Sequence, residues 1–302
     1  MNKKSSLLKT PSLLIFAVAS IFYLTGCGQG SSDASALVVA IKPDKNPDAM
    51  ESDRADLSAR LTQALGRQVD VIIPTSGAVV EQGLANGTID LAFVSSTSLA
   101  RYSKDKLADL LLVVEQDGDT TYESLWVSLA DKPYSSVQDL KGKAVCFASP
   151  TSTSGNIIPT YDLSKQGLVT AEGGRETFFG EGNVQYGTGY VSAIQRVLDG
   201  IAEAAAVSDY VMEKDLHLKP EQKARLKIID RQGPVPTHTL AVRSSLSAED
   251  RSALKDGLLE LQESETALPA RIFTGDLVVV EADAHLAPIR SALAFVSELS
   301  DS

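Results

Sequence analysis

Three hydroxyl side chains in a row, Ser152, Thr153 and Ser154, precede Gly155. They come after the apolar run Lys143-Ala-Val-Cys-Phe-Ala148 and lead into a helix-patterned stretch at 156–166. A strand–turn–helix of this kind sets hydroxyls beside the unpaired N–H groups of a helix start, where donors converge and the dipole favours negative charge. Gly155 lets the backbone approach a ligand closely. The chemistry this suits is capture of a tetrahedral oxyanion by neutral donors. N-capping alone explains one Ser or Thr, whereas Thr151 to Ser154 supply four hydroxyls. A second cluster, Val94-Ser-Ser-Thr-Ser98, ends another apolar run in the other half of the chain. Ser95, Ser96 and Thr97 offer a similar donor set, with two ordinary caps as the competing reading. If the turns face one another, an anion is held from both sides without a lysine or arginine clamp.

Other chemistries find less support. Cys146 lies in the apolar run and reads as core; beyond Cys27 it is the only cysteine, so neither a disulfide framework nor a cysteine metal site is expected. His217, His238 and His285 show no metal-ligand spacing. No Gly-x-Ser-x-Gly elbow is present and no histidine pairs obviously with Ser152 or Cys146. No catalytic residue, metal or cofactor is therefore assigned, and an enzyme is disfavoured.

The elements that carry these turns alternate. Strands are predicted at 37–41, 69–73, 89–94 and 110–114, with helices at 53–65 and 77–85. The pattern then restarts. Strands at 122–129, 144–148, 204–207, 225–230 and 240–242 interleave with helices at 156–166 and 191–199, and helices at 248–264 and within 284–299 close the chain. Short β-branched runs suit parallel strands buried on both faces, and the alternation signals an α/β fold. The restart predicts two lobes, residues 37–125 plus 238–302 and residues 126–237, with chain crossings near 124–129 and 234–242. A cleft between two such lobes, outside the carboxyl ends of the strands, is the default ligand site.

The N-terminus predicts an address. Lys3, Lys4 and Lys9 precede an apolar stretch from Leu13 to Leu24, and Leu24-Thr25-Gly26-Cys27 resembles a lipobox. Residues 1–26 read as a lipoprotein signal, Cys27 as the acylated (palmitate-bearing) residue, and 27–36 as a flexible tether. A plain signal peptide or a short anchor helix is the alternative, although the run is short for a membrane span. The chain is then extracytoplasmic and lipid-anchored. Its formal net charge is −11, and removing a leader with three lysines and no acid leaves −14. Such a balance argues against nucleic acid or an anionic membrane face as partner.

The chain resembles the substrate-binding proteins of phosphonate, phosphite and phosphate importers of the ATP-binding-cassette (ABC) type. The residues that carry the resemblance are Gly87-Thr-Ile-Asp-Leu-Ala-Phe93, Thr121-Tyr-Glu-Ser124, Asp139-Leu-Lys-Gly-Lys143, Ser152-Thr-Ser-Gly155, Gly233-Pro-Val-Pro236 and Leu240-Ala-Val-Arg243. It implies a two-lobed type II periplasmic binding protein fold that closes on a small phosphorus oxyanion. The implied partners are an ABC permease and its ATPase, with the binding protein a monomer. Ser152, Thr153 and Ser154 match the main cradle, Tyr122 a hydroxyl donor, and Ser95, Ser96 and Thr97 the first-lobe turn. Ser76 stands where the family often has a cleft tyrosine, and Gly189-Tyr190 where it often has a histidine followed by an acid. Tyr210 and His238 stand where aminoalkylphosphonate binders place carboxylates. The resemblance therefore favours phosphite, phosphate or methylphosphonate over an amine-bearing ligand. His238 is a candidate donor or acceptor toward the anion, or a hinge histidine; Asp209 is a further acceptor candidate, and Arg243 reads as structural. A ligand-presenting partner of a membrane histidine kinase, or a binder of another oxyanion, is the alternative role.

Overall fold

The computed structural model describes residues 35–42, 47–214, 217–264 and 267–299. The leader, Cys27 and the tether as far as Ala34 lie outside the described residues. Among the described residues no helix is long and apolar enough to cross a membrane.

The chain opens with β1 (Leu37–Ala40), α1 (Pro47–Leu65), β2 (Val69–Ile72), α2 (Gly77–Asn86), β3 (Leu91–Val94), α3 (Ser96–Lys104) and β4 (Ala108–Glu115). Next come β5 (Thr121–Leu129), β6 (Val145–Phe147), α4 (Ile158–Lys165), α5 (Glu176–Phe179), β7 (Val184–Tyr186), α6 (Tyr190–Leu198), β8 (Ala204–Ser208), α7 (Tyr210–Glu213), α8 (Pro220–Lys223) and β9 (Leu226–Pro236). It closes with β10 (Thr239–Arg243), α9 (Ala248–Ser264), α10 (Ala267–Phe273), β11 (Asp276–Val278) and α11 (Ala282–Ser297).

Two sheets result, in the orders β11-β4-β10-β3-β1-β2 and β7-β6-β8-β5-β9. The first is mixed rather than all-parallel. β1 pairs in parallel with β2 and β3, but β10 lies antiparallel between β3 and β4. The reason is connectivity. β10 continues β9 out of the second sheet after only Thr237 and His238, so it enters at the edge where β3 ends and must run back along it. In the second sheet β6 is parallel to β7 and β8, while β5 is antiparallel to β8 and β9. The chain passes between the sheets along these two neighbours. Thr121 opposes Pro236, and Thr237 N–H donates to the Thr120 carbonyl at 3.0 Å.

The alternation of apolar residues is spent on both faces of each sheet, as buried α/β strands require. One face of the first sheet packs Leu57, Leu61, Leu254, Leu258 and Phe273 against Val39, Leu91 and Leu112. The other face gathers Val80, Leu84, Leu99, Leu286 and Ile289, and this cluster continues through Ile157, Ile158 and Val235 of the second half of the chain. In the second sheet Trp126, Phe147 and Phe179 interlock with ring centroids 5.4–6.2 Å apart. Cys146 is fully buried in β6, as its apolar context predicts.

Candidate functional site

Both hydroxyl-rich turns stand at the carboxyl ends of strands, the first after β3 and the second after β6. In each, one hydroxyl is a cap. Ser95 Oγ accepts from the Ser98 N–H at 3.1 Å, and Ser152 Oγ accepts from the Gly155 N–H at 3.0 Å. Ser96 Oγ donates to the Pro236 carbonyl at 3.0 Å, which ties the first turn to the crossing strand. The remaining hydroxyls meet across the two sheets. Thr97 Oγ1 and Thr153 Oγ1 are 2.8 Å apart, and both residues are buried. Ser154 Oγ accepts from Tyr122 Oη at 3.2 Å and lies 2.8 Å from Tyr190 Oη. Ser124 Oγ donates to the Ser154 carbonyl at 2.6 Å and fixes the turn from below. The amides of Ser96, Thr97, Thr153 and Ser154 head their turns, where a helix start supplies no internal acceptor.

The second turn is widened. Ile157 N–H donates to the Ser152 carbonyl and Ile158 N–H to the Thr153 carbonyl, an i to i−5 pattern over Thr153–Ile157. The sequence supplies the cause. Pro159 lacks the N–H that would bond the Gly155 carbonyl in a regular helix, and that carbonyl instead accepts from Ala148 N–H at 2.9 Å. The turn is thereby tied back to the end of β6. Such i to i−5 turns occur often at functional sites. Gly155 is needed for space: a Cβ there would lie 2.3 Å from Ala148 Cβ and 2.8 Å from Ser152 Oγ.

Tyr122 begins β5, and Tyr190 and Tyr210 begin α6 and α7 just past β7 and β8. The Tyr190 and Tyr210 rings meet edge-on at 5.6 Å. Burial pushes the hydroxyl pKa values of Tyr122 and Tyr210 well up, with Tyr190 adding to both shifts, so each stays a neutral donor. In the sequence Tyr190 and Tyr210 read only as replaced positions. For Tyr210 the signal is its place just past the apolar run Ala204–Ser208; Tyr190 follows the short, polar-broken β7 and has no comparable signal.

The other predicted residues fall differently. Asp209 is committed to local structure: its carboxylate accepts from Tyr210 N–H at 2.7 Å, Ser208 Oγ at 3.0 Å and Glu123 N–H at 3.0 Å. Ser76 is exposed and caps α2, accepting from Val79 N–H at 3.3 Å, with no bond to either turn. Arg243 Nε donates to Asp90 at 2.6 Å and is a structural ion pair. Among the described residues no His, Cys, Asp and Glu cluster is arranged to hold a metal.

His238 sits at the first turn. Thr239 opposes Val94 in the β10–β3 ladder, so one further step sets His238 opposite Ser95. Its ring lies 5.4 Å from that of Phe93, and Lys42 Nζ lies 2.7 Å from its Nε2. Burial, then the Lys42 ammonium, hold the His238 pKa well below its usual value. The neutral ring therefore accepts from the ammonium. Lys42 lies just past the end of β1, with Nζ 5.6 Å from the Phe93 ring centroid. It keeps solvent access, yet protein crowds it closely enough to pull its pKa down to about 8. A lysine thus stands at an edge where the sequence predicted only neutral donors.

Comparisons with known proteins agree with this architecture. A family model described as "ABC transporter, phosphonate, periplasmic substrate-binding protein" matches residues 39–284. The chain is 25% identical over 224 residues to the phosphate-import protein PhnD of Mycolicibacterium smegmatis, covering 72% of this chain and 70% of that protein. Its fold is similar to that of a Xanthomonas citri protein solved bound to ATP, with a TM-score of 0.73, 18% identity, and 89% and 100% of the two chains covered. It is likewise similar to PhnD1 of Prochlorococcus marinus in complex with methylphosphonate, with a TM-score of 0.69, 18% identity, and 87% and 99% covered.

Proposed function

The chain belongs to the periplasmic substrate-binding proteins of phosphonate ABC transporters, and on that premise we propose that it captures a small phosphorus oxyanion between its two hydroxyl-rich turns and delivers it to a permease and its ATPase. The observation that carries this reading is the 2.8 Å approach of Thr97 Oγ1 to Thr153 Oγ1, which brings the two donor sets to one point. Thr97, Thr153, Ser154, Tyr122 and Tyr190 supply the hydroxyls that face the anion, together with the amides heading the two turns. Ser95, Ser96 and Ser152 hold the turns in shape. Neutral donors suit a buried oxyanion in a protein this acidic, because each charge-assisted hydrogen bond is strong in a desolvated site.

Each sheet with its covering helices moves as a lobe, residues 37–125 with 238–302 against 126–237, about the paired crossings β5 and β9. The ligand bonds to both turns only when the lobes are together, so it shifts the equilibrium toward the closed form. Phosphite, phosphate and methylphosphonate are favoured over an amine-bearing ligand. The Mycolicibacterium relative is named for phosphate import, and the Prochlorococcus structure holds methylphosphonate. An aminoalkylphosphonate would need a carboxylate for its ammonium, and Asp209 is already committed to three donors. The protein works as a binder rather than an enzyme, monomeric and without a cofactor. Acylated Cys27 holds it at the extracytoplasmic face, where the tether raises its concentration beside the permease.

Calorimetric titration of the ligand-stripped protein tests the reading. One-to-one binding of one of the three oxyanions is expected; no heat with phosphite, phosphate and methylphosphonate alike overturns the ligand class.

A further inference from the structure

We infer that Lys42 and His238 form a subsite for a second negative charge on the ligand, so that the protein prefers a carboxylate-bearing organophosphonate to an uncharged or ammonium-bearing one. The inference rests on the reading that the two turns hold the phosphorus group. It goes beyond that reading in assigning what the rest of the ligand carries.

Placement comes first. Lys42 lies just past β1, Phe93 lies in β3 and His238 precedes β10, so three neighbouring strands bring them to one edge of the first sheet. That edge is the one from which Ser95, Ser96 and Thr97 rise, and His238 stands opposite Ser95 by register. A substituent on an anion held at the first turn would meet the same sheet edge on which this cation stands.

Charge and donor chemistry come second. The Lys42 ammonium has three protons, and one goes to His238 Nε2. Among the described residues no carboxylate is paired with it. Among the described residues two donors and a positive charge are therefore left without a partner, in a protein whose formal net charge is −11. With Nε2 accepting, the neutral His238 ring carries its proton on Nδ1. Phe93 floors the group, with the Lys42 ammonium and the His238 ring each packed on it. The crowding that lowers the Lys42 pKa weakens its hydration, and a negative partner would offset that loss. The second-lobe side offers the contrasting surface: Tyr122, Tyr190 and Ser154 are all neutral. The phosphorus group is thus met by hydroxyls, and the cation remains for a second acidic group. An ammonium on the ligand would face Lys42 directly and be repelled.

Calorimetric titrations of the wild type, Lys42→Gln and Lys42→Arg with methylphosphonate, phosphonoacetate and 2-aminoethylphosphonate, at one pH and ionic strength, test this. The wild type should bind phosphonoacetate about tenfold tighter than methylphosphonate, the increment expected of a hydrogen bond to a charged group, with 2-aminoethylphosphonate weakest. Lys42→Gln should collapse the ratio between the first two, and Lys42→Arg should keep it. A wild type that binds methylphosphonate as tightly as phosphonoacetate overturns the inference and leaves the oxyanion reading standing. So does a ratio unchanged in Lys42→Gln. Absence of heat with all three ligands overturns the oxyanion reading and this inference with it. Should Lys42→Gln fail to fold, the wild-type ranking and the Lys42→Arg ratio still decide the matter.

Discussion

The turns at 95–98 and 152–155 are spelled almost alike, Ser-Ser-Thr-Ser and Ser-Thr-Ser-Gly, yet they are built differently. The first is an ordinary helix start: Ser95 caps α3, and Ser98 has room for its side chain. The second is widened to i to i−5 bonding, and where the first has Ser98 it has Gly155, which admits no Cβ. The difference traces to the helix beyond the second turn. Pro159 leaves the Gly155 carbonyl unused within that helix, and Ala148 claims it. A capping sequence therefore tells where a helix starts; the residues after it decide how that start is shaped. The first turn stands beside a cation and the second beside tyrosines, so the two also differ in the electrostatics they offer.

The sharpest way to break this comparison is Gly155→Ala. A methyl group at 2.3 Å from Ala148 Cβ should destabilise the fold by about 1–3 kcal/mol or more in denaturant unfolding. Gly77→Ala, at the start of α2 with nothing within 4 Å of the new Cβ, should be close to neutral. Equal stability of the two variants would remove the packing argument for the second turn. Next in size, Ser154→Ala should weaken ligand affinity by about 10- to 100-fold, corresponding to the loss of a hydrogen bond to a charged group. Ser95→Ala should instead lower the unfolding free energy by about 1 kcal/mol through the lost cap, with a smaller change in affinity. Titration and melting of both variants separate cap from cradle, and the reverse pattern would exchange their roles. A double-mutant cycle over Thr97→Val and Thr153→Val should then give a coupling of about 0.5–1.5 kcal/mol in unfolding, since the pair is one buried hydrogen bond. Additive effects would mean that the turns do not meet in solution.

The smallest effect is on the first turn's side and depends on pH. Burial lowers the pKa of His238 and His285 below their usual 6.5. Above that value the folded and unfolded chains hold both rings neutral. Below it the unfolded chain takes up protons first, so stability should fall as pH drops toward the folded values. Melting curves from pH 7 to pH 5 should show this decline, and His285→Gln should lessen it without removing the part due to His238. A melt that is flat over this range contradicts the burial of both rings.

Much of the fold was legible because the strands are short apolar runs with turn residues between them. The helix predicted at 248–264 is α9, and the one predicted at 77–85 is α2, which runs one residue further to Asn86. β7 and β11 were not foreseen: each has three residues and carries too little pattern to stand out. The mixed order of the first sheet was also hidden, because β10 is inserted by a partner 145 residues away in sequence, as the Thr239–Val94 contact shows. At the site, the hydroxyl runs were visible because repeated Ser and Thr after a strand exceed what one cap needs. Lys42 was not visible, since a single lysine after a strand has the look of any solvated charge until Phe93 and His238 are set beside it.

The sequence by itself determined the alternation of elements, the two hydroxyl-rich starts and the acidic balance that leaves any anion to be held by local donors. These are local properties: a cap acts over three residues, and apolar periodicity over one element. Tertiary structure alone decided which hydroxyls are caps and which face across, which tyrosines join Ser154, and that a lysine and a histidine meet. Those outcomes depend on contacts such as Thr97–Thr153 and Lys42–His238, separated by 56 and 196 residues. Contacts at such separations form only when the sheets have closed the intervening chain, whose entropy local sequence cannot supply.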